Sequence, residues 1–101
     1  MDELPSYLQF KQLENAEFAI YFADGIPTPA RLVEVSDLKT DKRREGFSLI
    51  FEVGLEAPVT QEIAKVEHPD VGALELFLVP IGRTTTAIEY EAIFNRFVSR
   101  E

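Results

Sequence analysis

At 101 residues, 46% of them hydrophobic and 11% aromatic, the chain holds enough apolar material for one core and too little for two, which excludes a disordered polymer. Eighteen Asp and Glu oppose ten Lys and Arg, and the net charge of −8 is spread from Asp2 to Glu101 without a block, so neither nucleic acid nor an anionic membrane is an expected partner. No cysteine is present, which excludes disulfides, thiolate catalysis and Cys-based zinc sites, and Met1-Asp2-Glu3-Leu4-Pro5 lacks the basic and apolar regions of a secretory leader; with no bilayer-length apolar run, a cytoplasmic setting is expected.

Behind Pro5 and Ser6, the spacing of Tyr7, Phe10 and Glu14 along one stripe predicts a short helix over Ser6 to Asn15, within an N-terminal helical segment 1–15. From Glu17 the period changes to two, with Phe18, Ile20 and Phe22 facing one way and Ala19 and Tyr21 the other, so a first strand is expected there. Asp24-Gly25, Pro27 and Pro29 mark a turn, Pro29 removing a ladder donor, and a second strand follows over Arg31 to Val35. The segment 36–46 carries Asp37, Lys39, Asp41, Lys42, Arg43, Arg44 and Glu45 with almost nothing apolar, and reads as an exposed, mobile charged loop.

Phe47, Leu49, Phe51 and Val53 alternate with Ser48, Ile50 and Glu52, a strand with one buried face. After a turn over Gly54 to Thr60, Gln61 to Glu67 is a strand in which Ala64 and Val66 oppose Glu62, Ile63, Lys65 and Glu67 imperfectly. His68-Pro69-Asp70-Val71-Gly72 is a compact turn in which Gly72 is free to take a positive φ. Ala73 to Ile81 is apolar on both sides apart from Glu75, so it is expected to be the core strand, covered on both faces. Beyond a Gly82-Arg83-Thr84-Thr85 turn, Ile88, Tyr90, Ala92 and Phe94 alternate with Glu89, Glu91 and Asn95 in a long last strand, whose end also fits a helix. About six strands joined by short turns, with no βαβ spacing, predict an all-β fold over 1–101: one small antiparallel barrel or strongly curved meander with a short N-terminal helix.

His68 is the one histidine, so acid–base or ligand chemistry by imidazole falls on it; in a His-Pro-Asp turn its simpler task is to bond nearby backbone. No Gly-x-Ser-x-Gly or comparable nucleophile setting accompanies it, and His68, Asp70, Glu67 and Glu75 match no familiar metal-ligand spacing. Glu89 and Glu91 share a strand face as paired catalytic carboxylates would, yet opposite Ile88 and Tyr90 they read as a wet face. Lys42, Arg43 and Arg44 form a basic cluster whose field Asp37, Asp41 and Glu45 largely cancel. The glycines stand singly, so no phosphate-cradling loop is available.

Phe47-Ser48-Leu49-Ile50-Phe51, the His68-Pro69 turn, Leu76-Phe77-Leu78-Val79-Pro80-Ile81-Gly82 and Tyr90-Glu91-Ala92-Ile93-Phe94-Asn95 together resemble an uncharacterised family of small bacterial all-β domains of unknown function. The resemblance covers about the last 55 residues well and the first 45 weakly, with Gly54-Leu55-Glu56 and Gly82-Arg83-Thr84 departing from it. It implies an accessory or assembly role beside phage-tail-collar-like proteins, and it carries no catalytic residue.

These observations favour a non-enzymatic structural or protein-interaction module without cofactor or metal, docking a partner protein or a second copy by strand addition at the edges of its sheet. The candidate turn or interaction residues are His68, Pro69, Asp70, Arg43 and Arg44. One alternative is a barrel that binds a small ligand among Phe and Tyr side chains beside the charged loop, its interior open. The other is a hydrolase or isomerase working through His68 with Asp70 or Glu75.

Overall fold

A computed structural model describes residues 7–41 and 44–97; the expected helix start at Pro5 and Ser6, and the cluster residues Lys42 and Arg43, lie outside them. A helix, α1 (Tyr7–Gln12), precedes seven antiparallel strands: β1 (Glu17–Tyr21), β2 (Pro27–Val35), β3 (Lys39–Asp41), β4 (Arg44–Val53), β5 (Glu62–His68), β6 (Gly72–Arg83) and β7 (Ile88–Phe97). Neighbours follow the order β2-β1-β5-β6-β7-β4, and a further β2–β4 pairing closes these six strands into a barrel, with β3 added outside on β4. The all-β barrel read from alternation is therefore the fold, and the last strand is β throughout its described length.

Closure needs strongly bent strands, and two irregularities supply the bend. Register shifts between Leu32 and Glu34 on β2, and between Pro80 and Gly82 on β6, each insert an unpaired residue that increases local twist. Pro27 and Pro29 sit inside β2 where it pairs with β1 but before its pairing with β4 begins at Ala30. The N–H each proline lacks is thus missing from an edge, where the ladder does not need it.

Alternate side chains fill the interior: Phe18 and Ile20 from β1 with Phe22 just beyond it, Leu49, Phe51 and Val53 from β4, Ala64 and Val66 from β5, and Ile88, Tyr90, Ala92 and Phe94 from β7 are all buried. Ile20, Leu32, Leu49, Phe51, Leu78 and Tyr90 are 0% exposed, so no void large enough for water touches them and no ligand-sized space lies among them. The open interior that the ligand-binding alternative requires is instead packed. Edge-to-face pairing of Phe18 with Phe51 and a tilted Phe22–Tyr90 contact, both at 5.3 Å between centroids, set its aromatic spine.

The two barrel ends are closed differently. At one end α1 inserts Phe10, 0% exposed, against Phe94 at 5.1 Å and Phe47 at 6.0 Å, while Phe47 and Phe94 stack on each other at 5.0 Å. The Glu14 carboxylate then accepts the Val35 N–H at 3.0 Å and pairs with Lys11 at 3.3 Å, fixing the helix to the end of β2. At the other end the connection 54–61 crosses between β4 and β5, and the buried Tyr90 hydroxyl donates to the Pro58 carbonyl at 2.5 Å while accepting the Thr60 N–H at 3.0 Å. A phenol at the bottom of an apolar barrel is affordable because both its donor and its acceptor are used.

Two expectations are corrected. The segment 36–46 is not a structureless loop: Lys39–Asp41 pairs with Arg44–Gly46 as a hairpin projecting past the barrel, and neither face is buried enough to demand the apolar alternation that announces a strand. Gly46 lets this hairpin lie close on β7, since a Cβ there would stand 2.6 Å from Asn95 Oδ1 and 3.2 Å from the Phe94 carbonyl. The strand Ala73 to Ile81 is covered on one face, not both: Leu76 and Leu78 are buried, while Phe77 and Ile81 point outward. Among the described residues β3 is the strand with a single paired neighbour, while the staggered ends of the barrel strands, residues 72–77 of β6 and 93–97 of β7, are each paired on one side.

Candidate binding surfaces

The His68-Pro69 turn joins β5 to β6. Its shape is held by His68 Nδ1, which accepts the Asp70 N–H at 3.0 Å, by the Val71 N–H donating to the His68 carbonyl at 3.1 Å, and by Gly72 at φ 77°. The imidazole leans on Phe18, 4.9 Å between ring centroids. Asp70 is exposed and engages His68 through its backbone N–H, not its carboxylate, so the geometry needed for an acid–base pair is not formed between them. Among the described residues no group of three or more His, Asp and Glu converges as metal ligands would.

His68 and Pro69 do border a groove. It lies on the outer face of the barrel, has a volume of about 560 Å³, and is open to solvent. Its floor follows from register: Pro29 faces Ala19, Ala19 faces Glu67 and Glu67 faces Ala73, so a row across β2, β1, β5 and β6 carries one carboxylate flanked on each side by a methyl group and bounded on β2 by a proline. The next row holds Tyr21, whose hydroxyl donates to Glu67 at 3.3 Å and whose ring lies 4.3 Å beneath Lys65 Nζ. The Glu67 charge pushes the Tyr21 phenol above its ordinary pKa, with burial adding to the effect.

Arg44 stands elsewhere, at the start of β4 opposite Asp41, bordering an open cavity of about 410 Å³ between the hairpin and β7. It is not brought near His68 by the strand pairing, and Arg43 lies outside the described residues.

A third surface was not found from the sequence. Ile63 on β5 faces Phe77 on β6, and on β7 Ile93 lies one residue beyond the Leu78–Ala92 pair at which the β6–β7 ladder ends, on the side of Phe77. These three are 66%, 51% and 64% exposed, forming one apolar stripe across three adjacent strands on the outer wall. Glu75 and Glu91, each two residues before a stripe member on the same face, give it an acidic rim; Lys65 stands two residues after Ile63. Each stripe residue breaks the alternation of its own strand, Ile63 before Ala64, Phe77 between Leu76 and Leu78, and Ile93 between Ala92 and Phe94. That break was the available signal.

No helix among the described residues is long and apolar enough to cross a membrane. No curated protein and no solved structure matches the chain. A family model described as a domain of unknown function (DUF6916) matches residues 5–94, which span α1 and all six barrel strands apart from the last residues of β7. The expected membership of an uncharacterised domain family is thus given a definite form: the chain belongs to the DUF6916 family of domains of unknown function.

Proposed function

We propose that this domain is a non-enzymatic protein-interaction module that docks a partner through the outward stripe of Ile63, Phe77 and Ile93. The observation that supports the reading is the position of three large apolar side chains, each more than half exposed, on three adjacent strands of a barrel whose inner face already satisfies its packing. Side chains of this kind are depleted from solvent-facing sheets unless they are covered in use. The occupant is a partner protein with an apolar patch bordered by Lys or Arg: the rim carboxylates Glu75 and Glu91, within a chain of net charge −8, attract such a surface and oppose a second acidic copy. An accessory role in a phage-tail-like assembly is the setting suggested by the sequence resemblance.

A photo-crosslinking residue at position 77, in cells that naturally make the protein, is expected to trap one discrete adduct, and the same residue at the exposed turn position Asp24 is expected to trap none. Glu75→Lys with Glu91→Lys should abolish the adduct while leaving the fold intact. No adduct from position 77 contradicts the reading, and an adduct of two copies of this chain replaces the basic partner with self-association.

A further inference from the structure

The groove beside His68 is separate from the apolar stripe: its floor row of Ala19, Glu67 and Ala73 and the stripe row of Ile63 and Phe77 are four residues apart along β5 and β6. It has the form of a recognition site for something narrow. The floor of Ala19, Gly72 and Ala73 is low because none of these side chains extends beyond a methyl group, and it is walled by the prolines of β2 on one side and the His68-Pro69 turn on the other. A volume of about 560 Å³ admits a few residues of extended chain and not a folded surface.

Two carboxylates define its chemistry. Glu67 sits in the floor row, and Glu17, two residues before Ala19 on the same face of β1, lies diagonally from it across the β1–β5 ladder. Diagonal neighbours in antiparallel ladders are roughly 7–8 Å apart, a span that one planar guanidinium between two carboxylates bridges. Among the described residues, neither carboxylate has a cation within ion-pair distance, although Arg31 faces Glu17 across β2. An anionic ligand would meet both charges and the acidic field of the whole chain.

We propose that this groove binds an extended, arginine-bearing segment of a partner protein, the guanidinium held between Glu17 and Glu67 and an adjoining apolar side chain resting on the Ala19–Ala73 floor. Arginine fits better than lysine because its planar fork reaches two acceptors and stacks on flat apolar surfaces such as proline and imidazole. This inference is independent of the stripe, so either can fail without the other.

The test is fluorescence anisotropy of the full chain with labelled short peptides alternating leucine with arginine, lysine or glutamate. The arginine peptide is expected to bind, the lysine peptide more weakly, and the glutamate peptide not at all. Glu17→Gln with Glu67→Gln should weaken the arginine peptide by about tenfold or more, as loss of charge-assisted hydrogen bonds does. Ala19→Trp should fill the floor and abolish binding, whereas Phe77→Thr, on the stripe, should leave it unchanged. Circular dichroism and melting of each variant separate a lost site from a lost fold, and Glu17→Gln with Glu67→Gln, both on the barrel exterior, provides the folded variant if Ala19→Trp does not fold. The proposal is overturned if the arginine peptide does not bind, if the groove double variant binds it like the parent, or if Glu89→Gln with Glu91→Gln on β7, outside the groove, weakens it equally, which would reveal general attraction to an acidic surface.

Discussion

Phe77 and Leu78 are neighbours on β6, both large and apolar, and their surroundings have nothing in common. Leu78 is 0% exposed inside the barrel, while Phe77 stands outside with Ile63 and Ile93, half open to water. The same contrast recurs on β7, where Ile93 lies outside between buried Ala92 and Phe94. Hydrophobic composition therefore separates into two kinds of surface: one whose burial drives folding and one whose burial awaits a partner. The inner set cannot be changed without cost to the barrel, whereas the outer set should be replaceable with little loss of stability.

The strongest way to break this division is from within. Phe51→Ala removes a fully buried ring that packs on Phe18, and is expected to cost about 3–5 kcal/mol in urea unfolding. A variant that loses less than about 1 kcal/mol would mean the interior is not tightly packed. Next comes Tyr90→Phe, which keeps the ring but strips the hydroxyl from the Pro58 carbonyl and Thr60 N–H. A loss of about 1–3 kcal/mol is expected, with faster amide exchange confined to residues 54–61. Unchanged exchange there would show that the connection is held by other contacts.

The smallest effect belongs to the helix plug. The Val35 N–H, aided by the Lys11 ammonium and opposed by partial desolvation, holds the Glu14 carboxyl below the usual carboxylate range. A carboxyl whose pKa is lower folded than unfolded stabilises the fold above its unfolded pKa, and that contribution is lost as pH falls through the folded value. Glu14→Gln is therefore expected to flatten part of the acid side of the stability profile, read by melting between neutral and strongly acidic pH. An identical profile would place the helix anchor entirely on Phe10.

Much of the barrel was legible because alternation is a direct consequence of one wet and one dry face. Phe18, Ile20 and Phe22 and the set Ile88, Tyr90, Ala92 and Phe94 announce their strands without any knowledge of neighbours. The hairpin Lys39–Asp41 with Arg44–Gly46 was invisible for the converse reason, since both its sides are wet and its charges resemble those of a loop. The outer stripe was misread because a strand apolar on both sides carries no mark of whether its second cover is this chain or another molecule. His68 was read correctly as a turn-holding residue, while the groove beside it depends on the register of Pro29, Ala19, Glu67 and Ala73, residues far apart in sequence whose alignment only pairing reveals.

The most direct test sets Phe77→Thr beside Leu78→Thr in equilibrium urea unfolding, since threonine keeps strand propensity at both positions and the two sites differ only in the face they occupy. The expected result is a loss of at least about 3 kcal/mol for Leu78→Thr and no more than about 1 kcal/mol for Phe77→Thr. Equal losses at the two positions would show that the outer stripe is part of what holds the barrel together, and would contradict the assignment of that face to a partner.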